Sequence, residues 1–153
     1  MHSNNDAETD PVLRWCAAVL GPIEVIADHT REHPGLRAGV RRLRAGADAF
    51  YIKTHHDPDH WASEAHGYER WAPAFGAHAP RLIAARAEAP LAVLTTALPG
   101  QILEGLALPI EQERVAWRTA GAALARLHDL PAGGYFGQCR RDGACAGEPI
   151  SDT

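Results

Sequence analysis

The alternation of apolar and polar positions along the chain predicts three helices and five short strands. Each helix begins at a proline and carries apolar residues at helical spacing, whereas the strands are runs of β-branched and aromatic residues between turn signals. The predicted helices span 11–20, 58–72 and 109–130, and the predicted strands span 23–27, 36–44, 49–53, 81–86 and 91–96. Because a short turn over 45–48 joins two strands, we expect a hairpin and an antiparallel sheet in an α+β fold.

Breaks in these patterns divide the chain into four parts. Leu98-Pro99-Gly100 interrupts the chain after the last strand, and polar, Gly-rich sequence without periodicity follows Pro131. We expect an N-terminal lobe over 1–97, a linker over 98–108, a helical segment over 109–131 and a tail over 132–153 that is disordered or an interrupted continuation of the fold.

Composition and charge narrow the classes of function. Hydrophobic residues make up 46% and charged residues 22%, as in globular proteins. No apolar run is long enough to cross a membrane and residues 1–10 hold no apolar segment, which predicts a cytoplasmic protein without a membrane partner. The net charge of −4 disfavours a nucleic-acid partner. One basic cluster comprises Arg37, Arg41, Arg42 and Arg44. A solvated strand face is the favoured interpretation of this cluster, and nucleic-acid binding is a weaker alternative.

Two groups of residues resemble metal ligands without the spacing of a metal site. Cys139 and Cys145 lie in the tail without a second Cys/His pair, so thiols are favoured over a zinc half-site, and Cys16 stands apart. A further group of possible ligands surrounds Pro58. Because Pro58 starts a helix between His56 and His60, a solvated loop is favoured over a metal site. The members of this group are His55, His56, Asp57, Asp59 and His60.

A single lysine at the end of a strand is the most informative position. Strand alternation places Lys53 on one sheet face with Ala49 and Tyr51. Glu64 lies on the inner side of the following helix, whereas Glu69 is turned about 100° from the centre of its apolar face. A lysine on a sheet face requires solvent or an anion, which predicts a Lys53–Glu64 ion pair. The alternative is that Lys53 extends to water and Glu64 is exposed.

Five blocks of the chain, in order and spacing, resemble the aminoglycoside phosphotransferases and their relatives. The blocks are Phe50-Tyr51-Ile52-Lys53, Ser63-Glu64-Ala65 with Tyr68 and Trp71, Ala79-Pro80-Arg81-Leu82-Ile83, Leu94-Thr95-Thr96-Ala97-Leu98-Pro99-Gly100 and Gly121-Ala122-Ala123-Leu124-Ala125-Arg126-Leu127-His128. The resemblance covers residues 23–131. It implies a protein-kinase-like fold and ATP-dependent phosphorylation of a hydroxyl on a small molecule, such as an aminoglycoside or another amino sugar or alcohol.

The resemblance also implies roles for particular residues. Lys53 would contact the α- and β-phosphates of ATP, and Glu64 would brace it. Residues 96–98 would form the hinge, with Thr96 and Leu98 offering backbone groups to the adenine edge. Residues 1–97 would then be a kinase-like N-terminal lobe, and 109–131 the first helix of a second lobe.

Two departures from the family pattern set limits on activity. The phosphate loop over 29–35 is poor in glycine, so arginines from Arg31 onward would have to supply charge instead. The family's His-Gly-Asp block and second Asp block, which hold the catalytic Asp and the Mg²⁺ ligands, match nothing in these 153 residues. We assign no catalytic or metal-binding residue, although Mg²⁺ with ATP is expected for the family.

These departures predict that the chain binds ATP weakly and transfers no phosphate. The alternative to a kinase portion is a truncated, inactive fragment that binds nucleotide weakly or binds only a protein partner. The stripe Trp117, Ala120, Leu124 and Leu127 would lack most of the lobe that covers it, which favours self-association.

Overall fold

The computed structural model describes residues 10–30, 39–100, 105–131 and 139–145. Within these residues the helices are α1 (Pro11–Leu20), α2 (Pro58–Arg70) and α3 (Ile110–His128), with a 3₁₀ helix at Ala72–His78. The strands are β1 (Glu24–Asp28), β2 (Gly39–Ala45), β3 (Asp48–His55), β4 (Leu82–Arg86) and β5 (Leu91–Thr96). The described helices include none with the length and hydrophobicity needed to cross a bilayer.

The strands form one antiparallel sheet in the order β1-β2-β3-β5-β4, which confirms the predicted α+β fold. β3 lies at the centre, where Lys53 is opposite Val40 of β2 and Val93 of β5. A lysine at this position is therefore flanked by strands on both sides.

The two faces of the sheet are covered by different helices because side chains alternate along each strand. Ile52 and Leu94 point to one face, where they pack with Leu13 of α1 in a buried cluster. Val93 points to the other face and packs against Trp61 of α2. The indole N–H of Trp61 donates a 3.0 Å hydrogen bond to the Ala92 carbonyl, which fixes α2 to the central strands.

Both Asp-Pro pairs start helices as predicted. Asp10 Oδ1 accepts a 2.8 Å hydrogen bond from the Val12 amide, and Asp57 Oδ1 accepts one of 2.8 Å from the Asp59 amide. Asp10 also lies 2.7 Å from Arg41 Nη1 on β2. Burial is the largest single influence and raises the pKa of Asp10, but Arg41 and the helix amides together outweigh it and hold the pKa below its ordinary value. Asp10 thus caps α1 and also connects this helix to β2 of the sheet.

Several element boundaries differ from those predicted by one or two residues. β2 is described from Gly39, and the predicted start at 36 lies outside the described residues. β3 continues past Lys53 to His55, because β5 pairs with it as far as Leu91. α2 ends at Arg70 rather than 72 and gives way to the 3₁₀ helix, in which Gly76 has a φ of 57°.

Part of the predicted disordered tail is folded against α2. Cys139 is 2% exposed. Its N–H donates a 3.0 Å hydrogen bond to Ser63 Oγ, which in turn donates one of 2.8 Å to the Cys139 carbonyl. Arg141 forms an ion pair with Glu69. Residues 139–145 of the predicted tail thus contact α2 through hydrogen bonds and an ion pair. Residues 132–138 and 146–153 lie outside the described residues.

α3 begins at Ile110, one residue after the predicted start, and has no buried residue among those described. Trp117 is 72% exposed, and Val115 and Leu124 are also exposed. The apolar stripe of this helix therefore faces solvent within the described part of the chain.

Candidate functional site

The predicted ion pair between β3 and α2 is present. Lys53 Nζ lies 2.6 Å from Glu64 Oε2, and the two side chains are 36% and 23% exposed. Lys53 is the only lysine among the 15 Lys and Arg residues of the chain. Its compact ammonium is thus held in place while part of it stays open to solvent, an arrangement suited to meeting an anion.

Glu69, on the same helix, does not approach Lys53. It pairs instead with Arg141 on the segment 139–145. Glu64 and not Glu69 is therefore the carboxylate of α2 that meets Lys53, as the helical period predicts.

His55 joins Lys53 and Glu64 as the third member of this cluster. The prediction that His55 lies in a solvated loop is therefore wrong. His55 lies in β3 with its side chain 6% exposed, and Nε2 is 3.1 Å from Glu64 Oε2. The two atoms are within ion-pair distance but outside hydrogen-bond alignment, and the contact is an ion pair only when the His55 ring is protonated. Strand alternation, extended two residues past Lys53 to the same face, was the available signal.

The environment of Glu64 keeps its carboxylate charged. Burial is the largest single influence and raises the pKa of Glu64, but the His55 and Lys53 side chains together outweigh it, so the pKa lies below its ordinary value of 4.5. A carboxylate with a lowered folded-state pKa stabilises the fold above its ordinary pKa, and this stability is lost as the pH falls through the lowered value. The cluster therefore persists at neutral pH.

An aromatic ring lies beside this cluster on the same sheet face. Tyr51 precedes Lys53 by two residues, and the Arg42 guanidinium carbon lies 5.9 Å from the centre of its ring. The His29 ring is 6.1 Å from the same ring, centre to centre. Tyr51 thus provides a flat surface next to a cation, a combination suited to a heteroaromatic anion.

The predicted hinge begins at Thr96, the last residue of β5, and two of its amides already donate hydrogen bonds within the lobe. The Thr96 N–H donates a 3.0 Å hydrogen bond to the Arg81 carbonyl, and the Ala97 N–H donates one of 2.9 Å to the Ala49 carbonyl. Thr96 Oγ1 also accepts the Arg81 N–H at 2.9 Å. A cavity of about 580 Å³ adjoins Leu98, which is exposed.

The predicted phosphate loop falls largely outside the described residues, which omit 31–38. Arg31 and Arg37 lie within the same omitted range. Gly39, beyond it, donates its N–H to Thr54 Oγ1 at 3.1 Å. A Cβ at Gly39 would lie 2.7 Å from that oxygen. Gly39 is therefore required for close packing at the start of β2, and its amide is not directed at a ligand.

Among the described arginines of β2, Arg44 is exposed, whereas Arg41 is partly buried. Arg41 pairs with Asp10 and Arg44 pairs with Glu24. Arg42 lies over Tyr51. Neighbouring acidic residues thus balance two of these charges.

The cluster around Pro58 separates into different environments. His60 Nδ1 lies 3.3 Å from Asp57 Oδ2 at the exposed start of α2, whereas His55 is buried against Glu64. In the described ranges, no group of three or more His, Cys, Asp or Glu side chains is placed to hold a metal ion.

The sheet order, together with a helix whose glutamate holds a strand lysine, defines a protein-kinase-like N-terminal lobe. The model of the phosphotransferase enzyme family matches residues 31–144, and the chain belongs to that family. Its members generally use ATP with Mg²⁺ and act on small molecules. No curated protein and no solved structure gives a significant match.

Proposed function

We propose that this chain is the ATP-binding portion of a cytoplasmic kinase that phosphorylates a hydroxyl of a small molecule, such as an aminoglycoside or another amino sugar or alcohol. The observation that carries the proposal is the Lys53–Glu64 pair on the open part of the sheet face. Family membership supports phosphotransfer as the class of reaction. The balanced charges of β2 support a chain without a nucleic-acid partner, and we propose no membrane partner.

The residues of the cluster fit a nucleotide. An ammonium has three donors, and Glu64 accepts from Lys53 on one side, which leaves donors for phosphate oxygens. Tyr51 offers a ring face to the purine, and the Thr96 carbonyl with the Leu98 backbone offers the adenine edge its hydrogen bonds. Bound ATP supplies the phosphoryl group. The contribution of these residues is to bind and orient it.

Because Lys53 is the only lysine, a lysine-directed nucleotide probe tests the proposal directly. An acyl-phosphate derivative of ATP is expected to acylate Lys53 Nζ, since the reactive acyl group lies beside the phosphates. Excess ATP should suppress the labelling. Peptide mass spectrometry locates the label, and the α-amino group of Met1 serves as the reference for labelling without binding.

Glu64→Gln is expected to lower the yield at Lys53, because the amide no longer holds the ammonium by charge. Glu69→Gln on the same helix is the matched control and should leave the yield unchanged. Equal labelling of Lys53 and Met1, insensitive to ATP, would contradict nucleotide binding at this site.

Phosphate transfer is expected to be absent from the 153-residue chain. Positioning and charge neutralisation supply nearly all the rate enhancement of phosphoryl transfer, and no residue here matches the family's catalytic Asp or Mg²⁺-binding blocks. The assay is ATP turnover with Mg²⁺ and a panel of aminoglycosides. Turnover above background that disappears in Lys53→Ala would overturn this expectation.

The exposed α3 favours a second candidate function, in which the chain is a catalytically inactive fragment that binds nucleotide weakly or only a protein partner. Its apolar side chains lack cover in the described part of the chain, so we expect self-association that depends on concentration. Trp117→Ala should shift sedimentation toward monomer. Trp71→Ala, an exposed tryptophan outside α3, should not. Monomeric sedimentation of the unmodified chain at all concentrations would exclude this surface.

A further inference from the structure

A tight turn at 139–145 brings two cysteines opposite each other. Cys139 and Cys145 are partners in an antiparallel bridge. Inside the turn the Arg140 N–H donates a 2.7 Å hydrogen bond to the Ala144 carbonyl, and the Gly143 N–H donates one of 2.9 Å to the Arg140 carbonyl. Asp142 Oδ1 accepts the Ala144 N–H at 2.9 Å, which stabilises the turn. The backbone therefore sets the separation of the two cysteines.

This pairing is of a type that a disulfide can join. The backbone hydrogen bond from Arg140 to Ala144 lies next to the cysteines. It identifies them as a non-hydrogen-bonded pair, in which the two residues share no backbone hydrogen bond. Such pairs have Cα atoms roughly 4.5 Å apart and side chains on the same face. Disulfides join Cα atoms separated by about 4.4–6.8 Å. Both residues are thiols in the structure.

We propose that Cys139 and Cys145 form a dithiol site that a small-molecule disulfide, such as oxidised glutathione, converts into an intramolecular disulfide. The folded turn already holds the two residues side by side. Their union therefore needs little further ordering of the chain.

The exchange takes place in two balanced steps. The thiolate of the partly exposed Cys145 attacks one sulfur of the small disulfide, forming a mixed disulfide and releasing one small thiolate. The Cys139 thiolate then attacks the Cys145 sulfur, forming the intramolecular bond and releasing the second small thiolate. The two protons lost by the cysteines are taken up by the two released thiolates, so two protein thiols are oxidised and one small disulfide is reduced.

The bond would close a turn that is docked on α2. Ser63 exchanges hydrogen bonds with the backbone of Cys139, and the Arg141 carbonyl lies 3.3 Å from His66 Nδ1. Gly143 contacts the same ring so closely that a Cβ there would lie 2.7 Å from His66 Cε1. Oxidation would therefore brace internally a turn that is already docked on the helix that carries Glu64.

The test is oxidation of the full 153-residue chain with oxidised glutathione under native conditions, followed by mass spectrometry. The expected product is a monomer that has lost the mass of two hydrogens, with peptides containing Cys139 and Cys145 joined. Amide hydrogen exchange over 139–145 should slow on oxidation. Cys16 is the internal control: it is buried in the core, and burial raises the pKa of its thiol to about 12, so it should stay unmodified.

Single substitutions separate the two steps. Cys139→Ser should stop at the mixed disulfide on Cys145, and Cys145→Ser should form no intramolecular bond. Phenylarsine oxide, which bridges neighbouring thiols, should bind the unmodified chain and bind neither variant. Disulfide-linked dimers as the sole product, or equal arsenical binding by the unmodified chain and Cys145→Ser, would overturn the proposal.

Discussion

Lys53→Ala is expected to weaken ATP binding by roughly ten- to a hundredfold. The substitution removes the ammonium that we propose contacts the phosphates, and a charge-assisted hydrogen bond contributes about 1.5–3 kcal/mol. Displacement of a fluorescent ATP analogue measures the affinity. Glu64→Gln should produce a smaller loss, because the ammonium remains but is no longer held at 2.6 Å by a carboxylate.

Two further variants serve as controls for this affinity measurement. Glu69→Gln removes a carboxylate from the same helix without touching the cluster, and it should bind ATP like the unmodified chain. Lys53→Arg retains the charge but changes its shape, so partial affinity is expected. If Lys53→Ala bound ATP as tightly as the unmodified chain, the proposed phosphate contact would be wrong.

Leu94→Ala is expected to lower the free energy of unfolding by about 3 kcal/mol, within the range of roughly 2–5 kcal/mol for buried leucines. Leu94 is fully buried between α1 and the centre of the sheet, so its removal leaves a cavity that the flanking strands cannot close. Urea unfolding followed by tryptophan fluorescence measures the change.

Leu124→Ala in α3 is the matched control, since the same side chain is removed from a position that is 51% exposed. We expect a change within about 0.5 kcal/mol, because surface substitutions rarely exceed this and alanine favours helix. Equal losses at both positions would show that α3 is packed in solution, contrary to its exposure here.

Local sequence signals were sufficient to predict most helices and strands of the lobe. The Asp-Pro pairs predicted both capped helices because the carboxylate that caps each helix lies next to the residues it serves. β-rich runs predicted the strands, and a short turn predicted the β2–β3 hairpin. Helical period and strand alternation together chose Glu64 over Glu69 as the partner of Lys53.

Signals failed where the deciding contact joins distant segments. Ser63 and Cys139 are 76 residues apart, and no period in the Gly-rich sequence indicates that the segment after Pro131 returns to α2. The local pattern predicts that the strand ends at Lys53 and that His55 lies in a loop, but pairing with β5 carries the strand two residues further. Gly39 follows the predicted phosphate loop, and only the fold shows that its N–H donates a hydrogen bond to the Thr54 side chain.

The sequence by itself therefore determined the order of the elements, the face on which Lys53 lies and the carboxylate that meets it, because each depends on backbone periods and on neighbours within a few residues. The tertiary structure alone decided that His55 joins the pair, that Arg41 and Arg44 are neutralised by Asp10 and Glu24, and that Cys139 and Cys145 face each other on a docked turn. Each of these depends on which strands and segments pair, and pairing is fixed by the packing of the whole lobe.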